Sequence, residues 1–366
     1  MDDLRRAESA APRFALGGLP LPAQWVVLIG LSLVVLIPLE LLHLPAALLL
    51  GPMVAAIVMG AGEAQVKVPA AAFTVAQAVI GCLMARALPG SIFVELAREW
   101  PIYLIGIGSV IVVAFGLGIL LTRLRVLPGT TAIWGSAPGA STAMILMADA
   151  FGADTRLVAF MLYLRVVLVA FAASIVSRFL VSGEMVQVAT PWFPPVAAVP
   201  FAETMAIVVV SLVVSRLFRV PAGAIIVPMV LGTALQDLAG LQIELPPVLL
   251  AVCYTLVGWT IGLRFTRDIL LHAARALPAV LGSMLSLLGI CALFAVALVQ
   301  FAGIDPLSAY LATSPGGADS VAIIAASSKV DVPFVMAMQA GRFIVVLLIG
   351  PPLARFIATR RWLPNR

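Results

Sequence analysis

The sequence predicts an all-α polytopic membrane protein built from two inverted repeats, each with about five spans plus one re-entrant or broken helix. Three observations lead to this prediction: a strongly apolar composition, a second half that repeats the first, and two polar segments that interrupt apolar runs at equivalent positions. Of the 366 residues, 63% are hydrophobic and 11% are charged. A water-soluble globule cannot cover its surface with so little polar material, so that class is excluded.

Apolar runs of transmembrane length recur from residue 23 to residue 358. Breaking them at proline, glycine and charged clusters gives about 10 to 12 membrane segments. The first half contains predicted segments at 23–43, 45–61, 69–86, 102–122, 131–149 and 157–181. The second half contains them at 200–217, 220–236, 246–263, 278–301, 307–328 and 334–358.

These segments divide the chain into five parts. The parts are a cytoplasmic N-terminal segment (1–22), membrane repeat 1 (23–182), a linker (183–199), membrane repeat 2 (200–358) and a basic cytoplasmic tail (359–366). No small-residue cleavage site closely follows the first apolar run. We therefore expect that run to be a retained span and not a signal peptide.

From Gly81 to Arg178 the second half of the chain repeats the first at a shift of 177 residues, without a gap. Earlier in the chain the shift is 176 residues, which aligns Pro45, Ala46, Pro52 and Met53 with Pro221, Ala222, Pro228 and Met229. Matched pairs include Gly81/Gly258, Arg98/Arg275, Pro101/Pro278, Pro138/Pro315, Gly139/Gly316, Asp154/Asp331, Arg165/Arg342 and Arg178/Arg355. Chance alignment of apolar sequence would not preserve so many of these residue types, so the pattern indicates an internal duplication. Gly81 with Ala85, and Gly258 with Gly262, have the small-residue spacing of closely packed helices.

The basic residues favour an inverted arrangement of the repeats. With all twelve segments spanning, eleven Lys and Arg lie inside and nine outside, a weak bias under the positive-inside rule. If 131–149 and 307–328 each enter and leave on one side, sixteen lie inside, four lie outside, and Arg165 and Arg342 lie in the membrane. This topology has both termini in the cytoplasm. Broken helices that cross, with another short segment such as 45–61 failing to span, remain the alternative.

The two polar segments, residues 135–142 and 313–320, are called island 1 and island 2 below. Proline removes a backbone donor and glycine loosens the chain, so each island should expose backbone amides and carbonyls. In hydrocarbon such exposure is costly unless the groups face protein, water or a ligand. Paired breaks in inverted repeats are typical of secondary transporters, so we expect a binding site between the islands. An ordinary turn between spans is the alternative.

The expected substrate or ion site draws on both islands and on the last span of each half. Half-helix amides and island hydroxyls would bind an anion. Asp319, the only carboxylate in an island, is a candidate for a coupled ion or for the substrate, with helix capping near the surface as the alternative. The predicted set is Ser136, Pro138, Gly139, Ser141, Thr142, Arg165, Thr313, Ser314, Pro315, Gly316, Gly317, Asp319, Ser320, Gln339 and Arg342.

Arg165 and Arg342 lie eight to nine residues into the last span of each half. A guanidinium so deep must face the bundle interior and find a partner. It either binds an anionic substrate or holds the broken helix through its freed carbonyls, and the residues alone do not choose. Asp154 and Asp331, just before this span, are expected to cap its first turn.

The chain offers little for metal or cofactor chemistry. Cys82, Cys253 and Cys291 lie in apolar runs without metal-ligand spacing, and we expect them to be packing residues. His43 and His272 stand alone at span ends, too few for a copper or zinc centre. We therefore expect no cofactor, no metal and no enzymatic activity.

The expected partners follow from where the charges lie. The net charge of +5 comes from short loops between spans, so it indicates anionic lipid and membrane topology, and not nucleic acid. The expected partners are the lipid bilayer, a small-molecule solute and a coupling proton or sodium ion. A homodimer is left open.

The islands and the spans after them resemble the duplicated AbrB membrane-protein family. The resemblance rests on a Pro-Gly in each island, then Gly-Ala-Asp or Val-Asp-Val-Pro, then a Leu-Arg or Gly-Arg span. It covers about residues 40–358 and is most specific over 136–165 and 314–342. Island 1 departs from the family pattern of Pro-Gly-Gly with a nearby acid, because it has Pro138-Gly139-Ala140 and Ala143. A carboxylate role in the first half is therefore not expected.

The resemblance implies a multi-pass protein of the bacterial inner membrane, distantly like cation:proton antiporters and anion symporters. Its labels are a regulator of aidB expression and an ammonia monooxygenase. Our prediction is a secondary transporter of a small polar, anionic solute. A membrane-embedded regulator that acts indirectly is the alternative, because no DNA-binding module exists in the sequence. The monooxygenase is disfavoured, since the residues supply no metal or cofactor site.

Overall fold

The computed structural model describes residues 16–42, 44, 46–88, 98–124, 126–127, 130–137, 141–180, 195–220 and 222–359. Within these ranges the protein is helical and contains no β-strand. The first half forms α1 (Leu21–Leu41), α2 (Ala47–Ala61), α3 (Ala70–Ala87), α4 (Trp100–Arg123), α5 (Thr131–Ser136), α6 (Ser141–Ala150) and α7 (Thr155–Leu180). The second half forms α8 (Ala198–Leu217), α9 (Gly223–Ala239), α10 (Pro247–Gly262), α11 (Arg267–Ala273), α12 (Leu277–Ala302), α13 (Pro306–Thr313), α14 (Ala318–Ala326) and α15 (Val332–Thr359).

Seven of these helices are long and apolar enough to cross a membrane. They are α1, α3, α4, α7, α8, α12 and the Val332–Gly350 part of α15. Large apolar side chains on the outside of the bundle are exposed, for example Val26 at 69% and Phe301 at 92%. Because water would not tolerate such a surface, the protein is a polytopic membrane protein, and the predicted all-α class is confirmed.

The segments 131–149 and 307–328 are each broken into two helices, α5 with α6 and α13 with α14, as predicted from the islands. One detail differs from the predicted segments. The span predicted at 246–263 ends as α10 and is followed by the unpredicted helix α11, with a bend of 54° between them. The hydroxyl of Thr266 accepts a hydrogen bond from the amide of Ile269 at 3.5 Å and so caps the start of α11.

The two halves of the chain interlock through equivalent residues. Helix α2 packs against α10, and α3 packs against α9. A Cβ atom on Gly81 would lie 2.6 Å from the carbonyl oxygen of Ile225, and one on Gly258 would lie 2.6 Å from that of Leu49. The sequence repeat aligns Leu49 with Ile225 at the shift of 176 residues found in the earlier part of the chain, and Gly81 with Gly258 at the shift of 177. The glycines therefore permit close helix contact, as predicted, in a reciprocal arrangement like that of a two-fold interface.

Each island is the tip of a helical hairpin. In the first half, the backbone amide of Asp154 donates to the hydroxyl of Thr131 at 3.1 Å, so α5 begins beside the start of α7. In the second half, the amide of Asp331 donates to the hydroxyl of Ser308 at 2.8 Å, beside the start of α15. The chain therefore starts and ends each hairpin, α5–α6 and α13–α14, at the same place. This place is called the base of the hairpin below.

The bases of the two hairpins lie at opposite ends of α7. The first base is at its start, whereas the hydroxyl of Ser177 near its end lies 3.0 Å from that of Ser328, next to the second base. The intervening residues 154–177 correspond to roughly 35 Å of helix. A Cβ on Gly316, at the tip of island 2, would lie 2.7 Å from the Val169 side chain in the middle of α7. The hairpins thus approach the same part of the bundle from opposite ends.

Helices α4 and α12, which are equivalent in the repeat, pack antiparallel. Val110 and Ala114 of α4 form a buried cluster with Leu287 and Cys291 of α12. The first turns of α4 and the last turns of α12 line a common cavity. Equivalent helices of the two halves therefore run in opposite directions at this contact.

Exposed ion pairs lie at the end of the molecule that contains the base of the first hairpin. They join residues that are far apart in sequence. They are Arg156–Asp268 (3.0 Å), Arg267–Glu63 (3.1 Å) and His272–Asp154 (2.6 Å). The prediction that His272 stands alone is therefore wrong. It failed because the aspartate lies 118 residues away in sequence and is brought close only by the packing of α11 against α7.

Candidate functional site

Arg342 on α15 holds the tip of the second hairpin. Its Nη2 donates to the carbonyl oxygen of Gly316 at 2.8 Å, and its Nη1 donates to the carbonyl oxygen of Ser314. These carbonyls have no helical partner, because they follow the last turn of α13. Arg342 is only 4% exposed, so the guanidinium satisfies buried carbonyls that hydrocarbon could not.

Arg165 on α7 has the same role at the first hairpin. Its Nη1 donates to the carbonyl oxygens of Ala137 at 3.0 Å and Ser136 at 3.2 Å. The repeat aligns Ala137 with Ser314, so the two arginines hold equivalent carbonyls. Of the two roles that the sequence left open, the structure therefore gives carbonyl binding to both arginines.

The two arginines also leave positive charge at the hairpin tips. Within the described part of the chain, neither guanidinium forms an ion pair. Both arginines are only 4% exposed, so little water solvates their charges. A buried charge is costly unless a counter-charge or several hydrogen bonds compensate for it. The tips therefore form a cationic region that favours an anion.

Three buried polar atoms at the tips have no hydrogen-bond partner among the described residues. They are the hydroxyl oxygens of Ser136 and Ser314 and the Nε of Arg165. These residues are 2%, 1% and 4% exposed, respectively. Leaving a buried polar group unpaired costs roughly 1–3 kcal/mol, so a cluster of such groups requires an explanation. All three can donate a hydrogen bond, which suits an acceptor-rich anion.

Among the described residues, the tip of the second hairpin accepts more side-chain hydrogen bonds than the tip of the first. The Nε2 of Gln339 donates to the carbonyl oxygen of Leu311 at 2.6 Å and to that of Ser314 at 3.3 Å, and its Oε1 accepts from Arg342. The first half has Leu162 at the equivalent position. Gln339 therefore positions the tip and its arginine.

The remaining residues of island 2 differ in how they can contribute. Thr313 is buried and donates to the carbonyl oxygen of Ala309 at 2.9 Å, so its hydroxyl is engaged within α13. Pro315 is buried, and Gly316 and Gly317 are half-buried. The buried hydroxyl of Ser320 donates to the carbonyl oxygen of Gly317 at 3.0 Å. Ser314 is therefore the island 2 side chain that is buried and unpartnered within the described residues.

Asp319 occupies the first turn of α14, and its side chain lies outside the described part of the structure. Gly317 occupies the N-cap position, and the next residues, Ser320 and Val321, are fully buried. The N-cap position itself is therefore held by Gly317 and not by Asp319.

Much of island 1 cannot be compared in the same way. Pro138 and Gly139 lie outside the described residues. Ser141 and Thr142 are the first residues of α6, and their side chains also lie outside the description. In island 1, the described site consists of Ser136 and the carbonyls that Arg165 holds.

Asp154 and Asp331 cap α7 and α15, as predicted. Their Oδ1 atoms accept hydrogen bonds from the backbone amides of Leu157 and Phe334, each at 3.1 Å. Partial burial disfavours the charged Asp154 carboxylate, but hydrogen bonds from His272 and from backbone amides outweigh that effect. The pKa of Asp154 is therefore lowered from its usual 3.8.

Sequence reasoning missed several structural residues of the site. Thr131 and Ser308 close the hairpin bases, and their signal was available, since the repeat aligns two hydroxyl residues there. The guanidinium of Arg264 hydrogen-bonds to the Tyr163 hydroxyl and lies 4.7 Å from the centre of its ring. No sequence pattern indicated that contact, which joins the end of α10 to α7.

Within the described residues, no three His, Cys, Asp or Glu side chains are grouped so that they could hold a metal ion. The polar groups that converge at the tips are donors and cations. They suit an anionic ligand better than a metal.

The chain is similar in sequence to a known family and to two known proteins. A family model described as "Transition state regulatory protein AbrB" matches residues 48–358. A protein of Escherichia coli (strain K12) named "Putative regulator AbrB" is 47% identical over 338 residues, covering 92% of this chain and 97% of that protein. "Uncharacterized protein YhjN" of Bacillus subtilis (strain 168) is 23% identical over 302 residues, covering 77% of each chain.

Proposed function

This chain belongs to the AbrB family, and we propose that it is a secondary transporter of a small anion that binds between the two hairpin tips. One observation carries the proposal. Ser136, Ser314 and Arg165 present buried donors without described partners beside two buried guanidinium groups. An anion would satisfy these donors and compensate the positive charge at the same time. A site for a cation is disfavoured, because the arginines already occupy the free tip carbonyls.

The proposed topology is an inverted repeat with two re-entrant hairpins. Three features of the fold support it: the reciprocal packing of Gly81 and Gly258, the hairpin bases at opposite ends of α7, and the antiparallel contact of α4 with α12. Breaks of this kind near the bilayer midplane allow a bound solute to be reached from one side at a time. The hairpins are then the parts that open alternately.

We also propose an orientation in the bacterial inner membrane, with both termini in the cytoplasm. The ion-paired end of the molecule carries Arg156 and Arg267 beside Arg264. The positive-inside rule assigns such an end to the cytoplasm. The opposite end carries Arg178 and Lys329 next to the Ser177–Ser328 contact, in agreement with the charge count.

Transport against a gradient requires a coupling ion, and Asp319 is the residue that we propose for it. Its backbone lies within island 2, in the first turn of α14, next to residues that are fully buried. An acid at such depth is costly and is therefore a candidate for carrying a proton or binding sodium. We further propose that the protein has no enzymatic activity of its own.

The second candidate function is indirect regulation of gene expression. It is favoured by the name "Putative regulator AbrB" of the relative that is 47% identical to this chain. In this reading, the membrane domain would act through a partner or through the flux of its solute. Expression of a transport-inactive variant in a deletion strain separates these routes, because reporter changes that the inactive variant fully restores cannot depend on flux.

The direct test of the transporter uses purified protein in liposomes and a panel of radiolabelled organic and inorganic anions. We expect saturable uptake of at least one anion above the rate of empty liposomes, and reduced uptake in Ser136→Ala and Ser314→Ala. The control is Ser286→Ala, which removes an exposed hydroxyl of α12 and should leave uptake unchanged. Absence of uptake for every anion, with a correctly folded protein, would contradict the proposal.

A further inference from the structure

A cavity of about 400 Å³ lies between the first turns of α4 and the last turns of α12. Apart from the hydroxyls of Ser109 and Thr313, its lining side chains are apolar; they include Ile102, Ala297 and Leu298. Its volume lies within the range of small-molecule binding sites, roughly 300–1,000 Å³. The cavity could therefore hold the apolar part of a small molecule.

The mouth of this cavity opens sideways, toward the surrounding lipid. Two of its lining residues, Ile105 and Phe301, are 63% and 92% exposed on the outside of the bundle. In a protein that spans a membrane, such exposed apolar side chains contact acyl chains. An amphipathic molecule dissolved in the bilayer can thus enter the cavity without passing through water.

The inner end of the cavity is closed by Thr313, the last residue of α13. The next residue is Ser314, whose Cα atom is about 3.8 Å from that of Thr313. Ser314 supplies the unpartnered hydroxyl at the tip, and its carbonyl oxygen accepts from Arg342. Thr313, which lines the apolar cavity, is therefore the sequence neighbour of Ser314 in the cationic region at the tips.

We infer that the anion of the proposed transporter is amphipathic, with its charged head between the hairpin tips and its apolar tail in this cavity. The inference rests on the proposed function and adds the class of substrate: a monoanion carrying an alkyl or aryl group. Polarity supports this orientation, since buried Thr313 at one end of the cavity adjoins Ser314 and its unpartnered hydroxyl, whereas Ile105 and Phe301 at the other end are exposed.

Alkanesulfonates test the inference, because they stay charged and do not cross lipid as neutral acids. Binding of butanesulfonate and octanesulfonate is measured by calorimetry on the full chain in lipid nanodiscs, with empty nanodiscs subtracted. Each buried methylene is worth about a four-fold gain in affinity, so octanesulfonate is expected to bind at least about ten-fold more tightly. Uncharged 1-octanol is expected to bind at least about ten-fold more weakly than octanesulfonate.

Two neighbouring substitutions on α12 locate the tail. Ala297→Phe fills the cavity, and we expect it to weaken octanesulfonate binding about ten-fold or more while changing butanesulfonate binding little. The matched control, Val296→Phe, adds the same ring at a residue that is 55% exposed and outside the cavity lining, and should change neither. Unchanged butanesulfonate binding also shows that each variant is folded.

Other outcomes overturn the inference. If both sulfonates bind equally, or if Ala297→Phe leaves octanesulfonate unaffected, the tail does not occupy the cavity, although the proposed anion site stands. If 1-octanol binds as tightly as octanesulfonate, the cavity is unconnected to the cationic site. If neither sulfonate binds, the inference fails, and the liposome panel decides separately whether the proposed function fails with it.

Discussion

The Nη2 atom of Arg342 lies 2.8 Å from the carbonyl oxygen of Gly316, 26 residues earlier in the chain. This contact ties α15 to the tip of a hairpin that has no helical hydrogen bonds at that point. Arg342 also donates to the carbonyl oxygen of Ser314, and Arg165 makes the equivalent contact with Ala137, at 3.0 Å. Both tips are thus held by cations, which fixes their backbone and leaves the nearby serine hydroxyls available to a ligand.

Arg342→Gln is expected to destabilise the protein even without a ligand. The substitution leaves the carbonyl of Gly316 without its donor, at roughly 1–3 kcal/mol, and removes one of the two donors to the buried carbonyl of Ser314. Thermal unfolding in nanodiscs measures the loss. Arg178→Gln, at an exposed position near the end of α7, is the control and should change stability by less than about 0.5 kcal/mol. Equal stability of the two variants would contradict the structural role of Arg342.

Ser136→Ala and Ser314→Ala are expected to weaken ligand binding without destabilising the protein. Each removes a hydroxyl without a described partner, so stability without ligand should stay the same or rise by up to about 1 kcal/mol. Affinity for the transported anion should fall about 5- to 20-fold, because one hydrogen bond to a charge is lost. Thr122→Val is the comparison, since its buried hydroxyl donates to the Gly118 carbonyl at 2.8 Å. It should lower stability and leave affinity unchanged.

Gly258→Ala tests the interlocking of the two halves. A Cβ at this position would lie 2.6 Å from the carbonyl oxygen of Leu49, so α2 and α10 would have to separate. Such overpacking typically costs about 1–3 kcal/mol. Gly116→Ala on α4, where a Cβ would meet nothing within 4 Å, should be neutral or stabilise by up to about 1 kcal/mol. Comparable unfolding temperatures for the two variants would argue against the close contact.

Asp154 gives the protein a defined sensitivity to acid. Because its pKa is lowered in the folded state, the ionised carboxylate adds stability above its usual pKa of 3.8, and this is lost as the pH falls through the folded value. The difference in melting temperature between wild type and Asp154→Asn should therefore be present at about pH 7 and shrink as the pH falls below the usual pKa of 3.8.

Asp331→Asn is the matched control for this pH dependence. Asp331 caps α15 in the same way, but no ion pair to it occurs among the described residues. Asparagine caps helices about as well as aspartate. Asp331→Asn should therefore lower the melting temperature at neutral pH less than Asp154→Asn does. A larger effect of Asp331→Asn would show that the contact with His272 contributes nothing.

The membrane orientation can be tested by labelling single introduced cysteines in sealed vesicles. Glu63→Cys and Asp268→Cys, at the ion-paired end, should react with an impermeant maleimide only from the cytoplasmic side. Arg178→Cys and Lys329→Cys should react only from the other side. The native Cys82, Cys253 and Cys291 are buried and give a low background. Labelling of both pairs from one side would contradict the inverted repeats.

Much of the fold was predictable because its causes are local. Apolar runs bounded by proline, glycine and charge marked the helices, and the caps at Asp154 and Asp331 followed from residue type and position. The 177-residue repeat paired Arg165 with Arg342 and Gly81 with Gly258 before any contact was known. Helix α11 was missed, since its seven residues are too few to give a periodic signal.

The sequence by itself determined that this is an all-helical, duplicated membrane protein with two polar breaks and a buried arginine behind each break. Only the tertiary structure decided that each break is a hairpin tip, that the arginines bind its carbonyls, and that His272 meets Asp154. The reason is physical. Helix formation and capping depend on neighbours within one or two turns, whereas these contacts join residues 23 to 118 positions apart, and only packing of the whole bundle brings them together.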